Sequence, residues 1–429
     1  MAAILPTARS GDASALYSKI NAHLLPFLLI CYLFAYLDRV NVGFAKLQMQ
    51  TDLGFSDAAY GVGAGIFFVG YVLFELPSNL LLPRIGARKT FGRILVLWGI
   101  TSACMLFVRS VPAFYAMRFL LGVFEAGFAP GMIFYLSRWY GPSRMARAIA
   151  MVFLAGPIGG IVGGPVSAAI MSTLAGKAGL AGWQWMFLVE GLPCIVLGIA
   201  TFLYLPDRPA DASWLSDADK RQLEAEVGAA QAHATSFRHV LRDRKVYVLA
   251  FAYFCIIASI YAISFWLPAI LKAQGVSDLI TLGWYTSIPY VAAAVGMLYM
   301  GWRSDRLGER RLHCAAPAAA AALLLAACAA AGSHVALTLT LLTLVTMALW
   351  MAYTVFWAIP PEYVKGPAAA GGIALINTIG LSGGFWGPAA IGWIKTAAGS
   401  LQPALLAMAG VSLLAALLIL PLRLAATKP

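Results

Sequence analysis

Long apolar stretches without a charged residue recur along this chain and limit its possible folds more than any other feature. Residues 246–271 and 366–394 are two examples. A helix needs roughly 20 mostly apolar residues to cross the hydrocarbon core of a bilayer. Of the 429 residues, 61% are hydrophobic and only 11% are charged, whereas a soluble domain carries about 25% charged residues. The chain is therefore predicted to be a polytopic membrane protein of the all-α class.

The apolar segments predict twelve transmembrane helices. The stretch 312–361 is long enough for two of them, with a break near residues 332–334. The predicted spans are 26–44, 58–82, 94–108, 112–136, 149–176, 185–205, 246–271, 279–302, the two within 312–361, 366–394 and 396–422.

The net charge of +12 follows the predicted topology and does not indicate a nucleic-acid partner. Basic residues such as Arg88, Arg144 and Arg306 cluster after the second, fourth and eighth spans, and few lie in the alternate loops. By the positive-inside rule, the basic loops and both termini are cytoplasmic. We therefore expect a multi-pass protein of the cytoplasmic (inner) membrane that contacts the lipid bilayer.

The cysteines and histidines do not indicate a metal or redox site. The six cysteines form no C-x-x-C pair, and the five histidines lack the spacing of metal ligands. Residues 1–23 have no apolar core of a signal peptide, so the first span is expected to be retained. We expect no metal and no cofactor.

The chain divides into two halves around a polar linker. We predict an N-terminal six-helix bundle over 1–205, a cytoplasmic linker over 206–245 and a C-terminal six-helix bundle over 246–429. In the linker, Ser216 and Asp219 predict a capped surface helix. Residues 84–89 and 306–311 echo each other after the second and eighth spans, as expected of parallel halves with a substrate site between them.

The second copy of this echo, within residues 301–311, resembles the cytoplasmic loop motif of the major facilitator superfamily. The first copy departs from the motif, since Pro83 stands where an acidic residue is common. Asp305 and Arg306 are charged partners that can latch helix ends in one conformation and release them in another. We therefore assign these two residues to gating.

Five ionisable residues inside the first-half spans are candidates for function, because charges in a membrane are costly. They are Asp38, Arg39, Glu75, Arg118 and Glu125. Arg118 and Glu125 share a helix face, roughly 10 Å apart along the axis. Arg118 is expected at the depth of Asp38 and paired with it. Glu75 is expected nearer the cytoplasmic end, in a gate or a helix cap.

The chemistry of these side chains favours a carrier of anions and protons. Beyond the arginine that pairs with Asp38, a second one could bind a carboxylate through its guanidinium fork. Glu125, removed from water, could load and release a proton. Alternatively, the charges only pair to hold helices together, although buried ion pairs stabilise poorly compared with apolar packing. The second half offers polar and aromatic groups instead, and for each aromatic residue core packing is the favoured interpretation: Tyr353, Thr354, Trp357, Asn377.

Several passages together resemble one branch of the superfamily, the anion:cation symporter family. These passages are 37–43, 70–79, 118–127 with Pro130, 183–191, 205–209, Asn377 and 383–388. Relatives in this family carry sugar acids, tartrate, phthalate and hydroxyphenylacetate. The resemblance implies proton coupling by Asp38 and Glu125, substrate binding by Arg39, and pairing of Arg118 with Asp38. It also implies a pocket lined by Tyr36, Tyr71, Thr354, Trp357 and Asn377. Glu190, within the passage 183–191, is interpreted as structural.

The predicted function is uptake of a small organic carboxylate together with protons, by alternating access of two bundles in a monomer. One alternative is a multidrug or metabolite exporter of the same superfamily, whose cargo is usually cationic or neutral. A second is a membrane-embedded enzyme, but the chain has no H-E-x-x-H, no G-x-S-x-G and no facing pair of catalytic aspartates.

Overall fold

A computed structural model describes residues 10–228, 243–332, 334–360 and 369–422. Every element of regular secondary structure in these ranges is a helix, which confirms the all-α prediction. The longer ones are α1 Ser10–Val40, α2 Val42–Leu53, α3 Asp57–Ile85, α4 Ala87–Cys104, α5 Val111–Glu125, α6 Phe128–Leu136, α7 Pro142–Phe153, α8 Ala155–Leu174, α9 Gly182–Tyr204, α10 Asp217–Gly228, α11 Arg244–Ala273, α12 Leu279–Leu307, α13 Arg311–Ala330, α14 Val335–Phe356, α15 Ala369–Leu381, α16 Gly383–Ala398 and α17 Gln402–Ile419.

The predicted spans correspond to these helices. Eleven segments of the described chain are long and apolar enough to cross a membrane. The remaining prediction, 366–394, contains α15 and α16, which have 13 and 16 residues and are separated at Ser382. The first span starts earlier than predicted, because α1 begins at Ser10 and continues through the polar residues before Pro26.

Four membrane-spanning segments are interrupted, one of them at Leu154 between α7 and α8, and the other three interruptions lie close to a candidate functional residue. Asn41 separates α1 from α2, and Ser382 separates α15 from α16. Between α5 and α6, directly after Glu125, Gly127 adopts a positive φ of 85°. A β-carbon at Gly127 would lie only 2.6 Å from the Ser78 hydroxyl oxygen. Glycine is required there by both conformation and space, and it fixes where α5 ends.

The two halves pack against each other through small residues. At the α3–α16 contact, a β-carbon on Gly65 would lie 2.6 Å from the Phe385 carbonyl oxygen. At the α8–α12 contact, a β-carbon on Gly283 would lie 2.8 Å from the Gly164 carbonyl oxygen. Small residues let membrane helices approach closely enough for their backbones to touch. These contacts hold the first half against the second half.

The linker begins with structure that docks on the first half. Ser216 accepts a hydrogen bond from the Asp219 amide at 3.1 Å, and Asp219 accepts one from the Ser216 amide at 3.2 Å. This reciprocal arrangement confirms the predicted helix cap. Asp219 also pairs with Lys19 of α1 at 3.0 Å. The rest of the linker prediction, residues 229–242, lies outside the described residues.

Candidate functional site

Arg39 and Glu125 form a buried ion pair in the first half. The Arg39 Nη2 donates to Glu125 Oε1, and the two residues are 8% and 1% exposed. The Arg39 Nη1 also donates to the Tyr261 hydroxyl at 3.0 Å. Tyr261 belongs to α11 of the second half, so one guanidinium connects the proton-coupling candidate to the opposite bundle. Sequence reasoning missed Tyr261, because a tyrosine in an apolar span resembles ordinary core packing.

The Arg39–Glu125 pair leaves hydrogen-bonding capacity unused. Within the described residues, neither the Arg39 Nε nor the Glu125 Oε2 has a hydrogen-bond partner. The rings of Phe67 and Tyr71 flank the guanidinium, with centroids 5.4 and 5.9 Å from its central carbon. Arg39 is thus already engaged by a carboxylate, and a substrate anion would have to replace or join Glu125. The carboxylate–guanidinium geometry shows how such an anion could be held.

The expected ion pair between Asp38 and Arg118 is absent from the described residues, and this expectation was wrong. Arg118 instead donates to two backbone carbonyl oxygens of α3, Gly63 at 3.3 Å and Ala64 at 3.1 Å. Its side chain is fully buried, and its Nη1 has no hydrogen-bond partner in the described chain. The Arg118 guanidinium is directed toward the backbone of α3, and Asp38 accepts from neutral donors instead.

Asp38 is 1% exposed and accepts hydrogen bonds from uncharged groups. The Trp98 indole nitrogen donates to Oδ2 at 2.6 Å, and the Ser102 hydroxyl donates to Oδ1. The Asn41 amide nitrogen is also 3.2 Å from Oδ1. Trp98 and Ser102 lie on α4, the third span, where no charged residue marked them as functional. These donors hold Asp38 in place without neutralising its charge.

Glu190 extends this polar network to α8 and α9. Its Oε2 accepts from the Asn41 amide at 2.9 Å, and its Oε1 accepts from the Ser167 hydroxyl at 2.7 Å. Glu190 is 3% exposed. Its position within an apolar span was the available signal for a functional carboxyl group.

Glu75 connects the two halves of the molecule. Its Oε1 accepts a hydrogen bond from the Asn377 amide nitrogen of α15 at 3.0 Å, and its side chain is 7% exposed. Its second carboxylate oxygen has no partner within the described residues. This contact between the halves is compatible with the gating role expected for Glu75, and it occupies the amide of Asn377.

The aromatic pocket candidates lie in two groups. Tyr71 flanks Arg39 as described above, and the Tyr36 ring lies 6.3 Å from that of Trp350. Trp357 instead packs edge-on against Tyr253, with centroids 4.8 Å apart. The Thr354 hydroxyl donates to the Trp350 carbonyl oxygen at 3.0 Å. Thr354 and Trp357 therefore contact residues of the second half.

Several charged side chains of the motif at residues 301–311 contact other residues of the same motif. Arg310 pairs with Asp305 at 2.5 Å, and the Arg306 guanidinium lies 5.4 Å from the Trp302 ring centroid. Glu309 accepts from the Leu312 amide at 2.8 Å and so caps α13. Partial burial tends to raise the pKa of the Glu309 carboxyl group. The hydrogen bonds from Leu312 and His313 outweigh this effect and hold that pKa below its usual value. Asp305 and Arg306 of the predicted latch thus lie in the last turn of α12, and their partners Arg310 and Trp302 belong to the same motif.

An ion-pair cluster lies at the end of the molecule opposite these basic loops. We call Lys46, Asp57 and Lys395 the Asp57 lock. The Asp57 carboxylate is 2.6 Å from the Lys46 nitrogen and 2.8 Å from the Lys395 nitrogen. Lys46 is 2% exposed, and its nitrogen lies 4.0 Å from the Trp266 ring centroid. Since Lys395 belongs to α16, the cluster ties the two halves together at this end.

The described residues contain no group of three or more His, Cys, Asp or Glu side chains placed to hold a metal ion. The candidate site is built from buried carboxyl groups, two arginines and aromatic side chains.

Comparison with known proteins connects this architecture to transporters. The family model described as Major Facilitator Superfamily matches residues 28–388. A bacterial homologue of the human lysosomal transporter Spinster, solved in an inward-facing and occupied conformation, superposes with a TM-score of 0.77 at 16% identity. That match covers 93% of this chain and 96% of the homologue.

Three relatives are similar along nearly the whole chain. The chain is 44% identical to the metabolite transport protein named NicT of Pseudomonas putida, over 95% of this chain and 94% of that protein. It is also 44% identical to a protein of Agrobacterium vitis named as a tartrate transporter, over 96% of this chain and 92% of that protein. It is 40% identical to a quinolone resistance transporter of Acinetobacter baumannii, over 90% of each.

Proposed function

Because this chain belongs to the Major Facilitator Superfamily and is a membrane transporter rather than an enzyme, we propose that it imports a small organic carboxylate together with protons. Its basic loops face the cytoplasm, and the Asp57 lock faces the opposite side of the inner membrane. The similarity to proteins named as tartrate and metabolite transporters supports an organic anion as cargo.

The observation that carries this proposal is the buried ion pair of Arg39 with Glu125. A carboxylate substrate that binds Arg39 has to replace or join Glu125 on the same guanidinium, and an ionised Glu125 competes with it. A proton on Glu125 neutralises that competitor and frees Arg39 for the substrate. Binding one anion and one proton adds no net charge to the buried site, whereas binding the anion alone adds an unpaired charge, which is costly in a low-dielectric environment.

The same arginine connects substrate binding with the movement of the two halves. Its hydrogen bond to Tyr261 and the bond from Asn377 to Glu75 both cross the interface. A change of charge at Glu125 therefore alters contacts between the bundles. In this structure the halves are locked together by Asp57 at the end opposite the basic loops, as expected for a conformation closed on the outer side.

The test is transport of radiolabelled tartrate by the purified protein in liposomes. Wild-type protein should accumulate tartrate under an inward proton gradient and lose accumulation when the gradient is collapsed. Glu125→Gln should retain tartrate counterflow but lose accumulation driven by protons. Unchanged accumulation in this variant would remove Glu125 from proton coupling.

Export is a second candidate, and the 40% identity to a quinolone resistance transporter is the observation that favours it. An exporter in the same liposomes would move a quinolone against an oppositely directed proton gradient and would not accumulate tartrate. The buried arginines favour import of an anion over export of a cation.

A further inference from the structure

We propose that Glu190 is a third proton-binding carboxyl group of the transport cycle, whose charge state is coupled to that of Asp38 across Asn41. This inference rests on the proposed proton-coupled function and deepens it. Glu190 lies on α9, outside the helices that carry Asp38, Arg39 and Glu125.

The geometry places two buried carboxyl groups on either side of one amide. The Asn41 nitrogen is 2.9 Å from Glu190 Oε2 and 3.2 Å from Asp38 Oδ1. Glu190 and Asp38 are 3% and 1% exposed, so water screens neither of them effectively. Asn41 lies between α1 and α2, where the helix is interrupted, and its side-chain oxygen has no partner in the described residues.

Among the residues that the structure describes, no cationic side chain forms an ion pair with Glu190. Its hydrogen-bond donors, Ser167 of α8 and Asn41, are both neutral. No ion pair of the described residues includes Glu190, whereas Glu125 has Arg39. The titratable groups nearby are Cys194 on the same helix and Asp38 on α1, with Cys31 of α1 near Cys194. A purely structural role would be served as well by glutamine, whose carbonyl oxygen can accept from Asn41 and whose amide nitrogen can donate to the Ser167 hydroxyl, without a charge to desolvate.

Two like charges held across one amide disfavour each other, so ionisation of one carboxyl group favours proton retention by the other. Three neutral groups donate to Asp38, whereas two donate to Glu190. Because hydrogen bonds to a carboxylate favour its charged form, Glu190 is the member that carries the proton. Asn41 fixes their separation, and the coupling is electrostatic, since no proton has to pass through the amide.

The decisive measurement is the number of protons taken up per tartrate in liposomes that contain a pH-sensitive dye. Glu190→Gln should preserve tartrate counterflow and lower the proton-to-tartrate ratio by one relative to the wild type. Glu190→Asp should restore the ratio. Ser167→Ala, which removes a donor but no titratable group, should leave it unchanged. An unchanged ratio in Glu190→Gln would overturn the inference.

A second readout does not depend on tartrate or on the stability of the glutamine variant. Infrared difference spectra of the purified protein across a pH step report protonated carboxyl groups directly. Glu190→Asp should shift one carboxyl band relative to the wild type, and identical spectra would overturn the inference. If wild-type protein moves tartrate without protons, the proposed function fails. If it moves protons but Glu190→Gln keeps the wild-type ratio, only the role of Glu190 fails.

Discussion

Arg39 donates to Glu125 and to the Tyr261 hydroxyl from the two terminal nitrogens of one guanidinium. Those contacts need the planar fork of arginine, because a lysine ammonium cannot be directed at both partners in the same way. The residue proposed to bind the substrate is thereby also the residue that joins the first half to the second. Substitutions at Arg39 therefore test binding and coupling together.

We expect Arg39→Lys to weaken tartrate binding by about tenfold to a hundredfold, since hydrogen bonds to charged groups contribute about 1.5–3 kcal/mol. Tartrate affinity can be measured by thermal shift of the purified protein. Arg109→Lys is the matched control, because Arg109 is exposed and only contacts nearby backbone carbonyl oxygens. Wild-type affinity in Arg39→Lys would indicate another anion site.

The hydrogen bond from Asn377 to Glu75 predicts that transport lost by changing one of these residues is restored when the amide and the carboxyl group exchange positions. Asn377→Asp places a second carboxyl group 3.0 Å from Glu75, and like charges at that distance repel each other. We expect tartrate uptake by this variant to fall at least tenfold at pH 8 and to recover partly at pH 6, where the pair can share a proton.

The double variant Glu75→Gln/Asn377→Asp restores one amide and one carboxylate at the same contact. It should regain most of the uptake at pH 8. Failure of this double variant, with normal expression and folding, would show that the contact between the halves does not control the rate.

The sequence was sufficient for the fold and for most charged members of the site, because a charge within an apolar span is conspicuous. Asp38, Arg39 and Glu125 were all found in this way. The partners were not predictable, since a depth estimate does not give the rotation of each helix about its axis. Arg118 was therefore expected beside Asp38, although it contacts the backbone of α3. Trp98, Ser102 and Tyr261 are neutral residues whose roles depend on what faces them.

The interruption of the fourth span after Glu125 gives a prediction about stability. Gly127→Ala should destabilise the protein, because alanine at positive φ costs about 1–2 kcal/mol and its β-carbon would collide with Ser78. Gly176→Ala is the control, since Gly176 has a φ of 80° but open space around it. Thermal unfolding followed by fluorescence should show a larger loss for Gly127→Ala. Equal losses would mean that the contact with Ser78 has no effect.

The Asp57 lock predicts which side of the transporter opens when one charge is removed. Asp57→Asn leaves the buried Lys46 without an anionic partner and breaks the ion pair with Lys395. Lys46 and Asp57 both belong to the first half, so only the pair of Asp57 with Lys395 depends on the closed conformation. These two side chains are 22% and 30% exposed, and such a pair contributes about 1 kcal/mol. The equilibrium should therefore move about fivefold toward the form open at this end.

A cysteine at Ala389, which is fully buried in α16, reports the change. In a background without the native cysteines, a membrane-impermeant maleimide should label Ala389→Cys about fivefold faster when Asp57→Asn is present. Asp211→Asn is the matched control, because Asp211 pairs with Arg208 at 3.5 Å on an exposed surface, where a pair contributes about 0–1 kcal/mol. Equal labelling rates for the two variants would show that the lock does not hold the halves closed.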